Sequence, residues 1–208
     1  MKYYKVLKND GSCVNGGSGK WHLPKRGKPG KWMPEIAGEL ELCANGYHIC
    51  RPQDLVHWLD EAIFEVEFDG EIVEGDNKCV VRKARLVRKA KTWNERTARL
   101  FAADCAEHVL HIYEKQHPDD YRPRKTIQAA RDFANGLISK KELAAARHAV
   151  LYEARDGVRF AVWSATRYEV WYAAWCAAWC AVMDAAQGVA WDAERKWQTN
   201  KLMEYLEE

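Results

Sequence analysis

Two groups of residues in this sequence have types and spacings that could do chemistry. The first is a set of cations. Lys20, Lys25, Arg26, Lys28 and Lys31 follow one another with no acid among them, interleaved with Trp21, His22 and Trp32. Lys78, Arg82, Lys83, Arg85, Arg88, Lys89 and Lys91 form a second acid-free run. Cations at irregular spacing beside aromatic rings suit a phosphate backbone with unstacked bases, or an acidic protein surface. On that reading the contact residues are Lys20, Trp21, Lys25, Arg26, Lys28, Lys31 and Trp32 in the first run, and Arg82, Arg85 and Arg88 in the second. The competing reading is a solvated loop followed by an edge strand that Lys and Arg protect from aggregation.

The second group is Cys43, His48 and Cys50, with His57 beyond them. Soft sulfur and imidazole ligands could hold zinc. No paired C-x-x-C knuckle is present, and Cys43 and Cys50 stand further apart than usual ligand pairs. Cysteine also favours burial for packing reasons alone. Neither a metal site nor a cofactor is therefore expected, and no catalytic constellation is assigned.

The elements that must position these residues read as two parts. Residues 3–7 favour a strand and end in the turn residues Asn9-Asp10-Gly11. Residues 13–34 carry so many glycines and prolines that they read as a long irregular arm. Short strands at 40–42 and 47–49 flank Asn45-Gly46, and Pro52 opens a short helix to residue 59. Phe64, Val66 and Phe68 alternate with acids, Asp69-Gly70 suits a hairpin turn, and a basic strand runs over 78–87. These elements predict a small mixed β-sheet module with one short helix over residues 1–91.

From residue 92 the periodicity becomes helical. Thr92 and Glu95 have capping-box spacing, Pro118 and Gly136 end successive helices, and Ser139 with Glu142 forms another box. The pattern stays helical to about residue 206, with Gly157 and Gly188 as breaks. Trp171, Trp175 and Trp179 recur every four residues among alanines, with Cys176 and Cys180 alongside. Such spacing makes one ridge of indoles, read here as the core of a bundle; an interface is the other reading. Residues 92–208 thus form an Ala/Trp-rich helical bundle, and the fold class is α+β.

Two resemblances attach to these residues. LCANGYHICRPQDLVHWL, followed by DGEIV and a basic strand, resembles a domain of unknown function common in phage and prophage proteins. Cys43, Gly46, Tyr47, His48 and Cys50 carry that match. The Gly-Tyr-His strand before a helix also echoes ADP-ribosyltransferase folds, without a matching Arg-x-Gly or catalytic Glu. ARLFAADCAEHVL, RPRKTIQAARDFANGLI and the alanine-rich helix resemble helical proteins classed as bacterial immunity proteins, over roughly residues 93–190. That second resemblance implies binding and neutralising a toxin or effector.

Composition narrows the classes further. The chain has 208 residues, 48% apolar and 30% charged, which describes a globular protein large enough for two cores. A net charge of +2 excludes both a polycation and a DNA mimic. The longest apolar run, residues 170–183, is 14 residues long and flanked by Glu169 and Asp184. A membrane span needs roughly 20. Seven cysteines, an odd number, and no charged-then-apolar leader point to reduced thiols in the cytoplasm.

Three functional readings follow. The first is a non-catalytic phage or mobile-element accessory protein that binds a host or phage protein in a defence or toxin system, for example an anti-CRISPR inhibitor of a nuclease effector. The second is a nucleic-acid-binding accessory protein that uses the basic loop and last strand. The third is a divergent NAD-using transferase.

Overall fold

The computed structural model describes residues 1–14, 16–151, 157–167, 169–185 and 190–207. The chain divides into two compact units, Met1–Trp93 and Asn94–Leu206. Gly188, expected as a helix break, lies outside the described residues. Among the described residues no helix is long and apolar enough to cross a membrane.

The first unit is a four-stranded sheet of β1 (Tyr3–Leu7), β2 (Tyr47–Ile49), β3 (Ala62–Glu74) and β4 (Cys79–Lys89), in the order β1-β3-β4-β2. Every pairing is antiparallel, a narrower description than a mixed sheet. Alternate residues Leu7, Phe64, Val66, Val81, Ala84 and Leu86 share one buried core with Trp21 and Met33. Val6, Ile63 and Val80, of the opposite parity, are buried as well, so both faces of the sheet are covered.

Asp69-Gly70 does not turn the chain, contrary to the sequence expectation. β3 runs through it, and the register passes from Asp69↔Lys83 to Ile72↔Val81, one extra residue on β3. Gly70 sits at φ 87, so it absorbs a bulge where only one positive-φ residue is needed. The hairpin closes further on, where Gly75 N donates to Lys78 O at 2.9 Å.

A short 3-10 helix (Pro52–His57) is anchored by a buried ion pair. Arg51 Nε donates to Asp54 Oδ2 at 2.8 Å, and Asp54 is only 2% exposed. The same guanidinium donates to Gly75 O at 2.8 Å, joining the helix to the β3–β4 turn.

The second unit holds α1 (Glu95–Gln116), α2 (Arg122–Ala134), α3 (Lys140–Leu151), α4 (Gly157–Ala165), α5 (Val170–Ala185) and α6 (Ala190–Glu207). α1 starts two residues later than the Thr92–Glu95 box implied. Asn94 Oδ1 accepts from Arg96 N and Thr97 N at 3.0 and 3.2 Å, and Thr97 Oγ1 accepts from Asn94 N at 2.9 Å. Asparagine is among the strongest N-caps, and Thr97 supplies the reciprocal bond usually given by Glu or Gln. The Ser139–Glu142 box forms as expected, with Ser139 N donating to Glu142 Oε2 at 2.8 Å.

The tryptophan ridge faces the other way from the core reading. α1 packs on α4 and α5 through small side chains. Ala98, Ala102 and Ala106 of α1 and Ala173, Ala174, Ala177, Ala178 and Ala181 of α5 are wholly buried. Tyr172 and Trp179 are 48% and 39% exposed, and Trp171 and Trp175 are half-buried. Closely spaced helix axes leave room for methyl groups but not for indoles. We therefore expect Ala178→Leu to cost about 1–3 kcal/mol by overpacking. Trp179→Ala should cost about 1 kcal/mol or less. Urea unfolding of the two variants tests this; a larger loss for Trp179→Ala would return the ridge to the core.

Candidate basic-turn interface

The arm that precedes β2 is a strap with a tight hairpin at its far end. Beyond the three residues that β2 covers, β4 still has an unpaired edge, and the strap takes it. Gly30 N donates to Leu86 O at 2.8 Å, Met33 N to Ala84 O at 2.9 Å and Ile36 N to Arg82 O at 3.0 Å. Arg82 Nη1 closes the run by donating to Ile36 O and Gly38 O at 2.8 and 2.7 Å. The strap thus hides an edge that could otherwise pair with another chain.

At the tip, Lys25 N donates to Lys28 O at 3.0 Å and Lys28 N to Lys25 O at 2.9 Å. The two residues between them, Arg26 and Gly27, have φ of 50 and 74. Positive φ at both central positions is the type I′ geometry, which favours Asn or Asp followed by Gly. Arginine is a costly choice for the first position, because its Cβ crowds the backbone there.

The ten expected contact residues separate clearly in the structure. Lys25, Arg26, Lys28 and Lys31 are all exposed, and no ion pair engages them among the described residues. Lys20 is exposed but paired with Asp10 at 3.0 Å. Arg82, Arg85 and Arg88 are paired across the β3–β4 ladder with Glu71, Glu67 and Glu65 at 3.4, 2.7 and 2.6 Å. Glu65 is held below its ordinary range chiefly by the Arg88 hydrogen bond.

The two tryptophans are also engaged. Trp21, at 4% exposed, lies in the sheet core edge-on to Tyr47, which removes it as a stacking platform. Trp32 is half-buried, with the Arg85 guanidinium 4.6 Å and Lys83 Nζ 5.4 Å from its ring centre. What remains is four exposed cations, three in the turn and Lys31 after it, with no ion pair among the described residues.

The Cys43/His48/Cys50 group is a clasp. His48 Nε2 accepts from Cys43 N at 2.8 Å, and His48 O accepts from Lys5 Nζ at 2.9 Å. Burial, with Lys5 and Lys78 nearby, lowers the His48 pKa, which keeps the ring neutral and able to accept. Burial pushes the Cys50 thiol up to about 12, so it stays protonated. One of the two ring nitrogens that could ligate a metal, Nε2, is already holding the loop that leads into β2.

Comparison with known families gives two matches. Residues 1–99 match the model of a domain of unknown function (DUF7666), which spans the sheet, the strap and the basic turn. Residues 88–205 match the model described as Imm-5 like putative immunity protein, which spans the helical unit. No curated protein and no solved structure matches the chain. The second match covers more than half of the 208 residues and includes every helix from α1 to α5. This chain belongs to the family of Imm-5 like putative immunity proteins.

Proposed function

We propose that the chain is a non-catalytic immunity-type protein that binds an acidic face of a protein partner through the turn formed by Lys25, Arg26 and Lys28, with Lys31 beside it. Membership of an immunity family is consistent with a non-catalytic inhibitor and suggests a protein partner. The observation that carries the contact site is the strained, doubly hydrogen-bonded turn whose cations pair with no acid among the described residues. Desolvating such charges is favourable only when a complementary anion arrives. The setting we propose is the cytoplasm, and the wider role is that of a phage or mobile-element protein acting on a host toxin or defence system. A nuclease effector of such a system, the target of an anti-CRISPR inhibitor, is one such partner.

Binding to nucleic acid is the weaker reading of the same surface. It would use stacking rings and a stripe of free cations, whereas Trp21 is buried and Arg82, Arg85 and Arg88 are matched by glutamates. The test is affinity capture with the tagged full chain, alongside binding of single-stranded and duplex oligonucleotides at low salt. A retained protein, and oligonucleotide binding no tighter than that of the Lys25→Glu/Lys28→Glu variant, is the expected outcome. Tight oligonucleotide binding that falls steeply with salt and vanishes in that variant would establish the nucleic-acid reading instead.

Arg26 offers a separate check. Arg26→Asn suits the turn and should raise stability by up to about 1 kcal/mol, since Asn tolerates this backbone region better. The same change should weaken partner binding. A variant that is both less stable and unimpaired in binding would remove the argument from strain.

A further inference from the structure

α5 carries a second exposed feature, independent of the basic turn. At 3.6 residues per turn, Tyr172, Trp175, Trp179 and Met183 fall within roughly 80° of one another, opposite the buried alanines. Tyr172, Trp179 and Met183 are 48%, 39% and 52% exposed. Their rings form a continuous row with Trp191 of α6. Tyr172 lies 5.7 Å from Trp175, Trp175 is stacked 6.2 Å from Trp179, and Trp179 meets Trp191 edge-on at 6.2 Å.

An arginine lies against the rings at each end of this row. At one end the Arg167 guanidinium lies 4.6 Å from the Tyr172 ring centre and pairs with the exposed Glu169 at 3.5 Å. At the other, the Arg195 guanidinium lies 5.5 Å from Trp179 and 5.7 Å from Trp191. Exposed Asp192 stands one helical turn before it. Arg195 Nη1 donates to Gln198 Oε1 at 3.1 Å and the rest of its guanidinium is buried, so Asp192 is the exposed charge at this end. The row therefore reads as the Arg167–Glu169 pair, an aromatic stripe and an exposed acid, Asp192.

We propose that this row is the interface between two copies of the chain, packed antiparallel about a two-fold axis. In that arrangement Arg167 of one copy faces Asp192 of the other, a contact that occurs twice. A two-fold interface must be self-complementary, and this pattern is: its charges match only when the row is reversed on itself. The apolar middle supplies the burial, and tryptophan is the side chain most often found at the centre of such contacts.

Sedimentation velocity of the full chain over a range of concentrations tests the proposal. The wild type should pass from monomer to dimer as concentration rises. Trp179→Glu should raise the dimer dissociation constant at least tenfold, with an unchanged helical circular dichroism spectrum. Should that variant fail to fold, Met183→Glu places the charge in the same stripe without removing a ring. Arg167→Glu should weaken the dimer, and Arg167→Glu with Asp192→Arg should restore it. A wild type that stays monomeric throughout overturns the proposal, as does a stripe variant that dimerises normally or a charge swap that restores nothing. In the first case the row becomes a surface for a different protein.

Discussion

Asp54→Ala is expected to destabilise the N-terminal unit by about 3 kcal/mol, the lower end of the cost of breaking a buried ion pair, because Arg51 keeps only the exposed Glu74 as an acidic partner. The pair is nearly closed to water, with side chains 14% and 3% exposed. Asp54 Oδ2 accepts from both Arg51 Nε and Arg51 N, at 2.8 and 2.9 Å, and Oδ1 accepts from Nη2 at 3.1 Å. The Asp54 hydrogen bond is also the main reason the Arg51 pKa is raised. Without the carboxylate, Arg51 would keep its bonds to Gly75 O, Asp76 O and Glu74 Oε2 but lose the group that orients it. The 3-10 helix would then lose its tie to the β3–β4 turn. Arg51→Met with Asp54→Leu should recover part of the loss, because it removes the stranded charge. Urea unfolding followed by hydrogen exchange at β3 and β4 amides measures both. A loss below about 1 kcal/mol for Asp54→Ala would mean that the pair behaves as a surface one.

Gly30→Ala should be equally damaging, at about 3 kcal/mol, and it should abolish partner binding as well. A Cβ on Gly30 would stand 1.9 Å from the His22 carbonyl oxygen and 2.9 Å from its carbon. Both atoms belong to the backbone, so no side chain can swing away. The strap would have to lift, which costs the Gly30 N to Leu86 O bond and exposes the β4 edge. Residues 22 and 30 are also the two sides of the hairpin that carries Lys25 and Lys28 at its tip. Exchange of the Met33 and Ile36 amides should accelerate sharply in this variant. Unchanged protection there, with normal stability, would show that the strap is not held as described.

Much of this arrangement was legible before the structure. The capping box at Ser139 and Glu142 and the stop at Gly136 are local signals, and both hold. The alternation of Phe64 and Val66 likewise gave the buried face of β3. What escaped were features set by distant partners. The basic run of β4 contains no acid, yet Glu65, Glu67 and Glu71 on the neighbouring strand neutralise it. Those acids come from earlier in the chain, and strand pairing brings them alongside. The Asp69-Gly70 pair has hairpin chemistry, but one positive-φ glycine serves a bulge as well as a turn. In α5 the spacing put Trp175 and Trp179 in one stacked row; which side faced inward depended on how close α1 lay. The four cations at and beside the basic turn were visible as residue types; that none of them pairs with an acid among the described residues was not.

Paired capture most directly tests the central claim, that a protein partner docks on this turn. Wild type and Lys25→Glu/Lys28→Glu would serve as parallel baits in nuclease-treated lysate from a host that carries the cognate system. The account requires a protein retained by the wild type, recovered at least about tenfold less with the variant, and released as salt screens the contact. Equal recovery on both baits, or recovery that disappears once nucleic acid is digested, would contradict it.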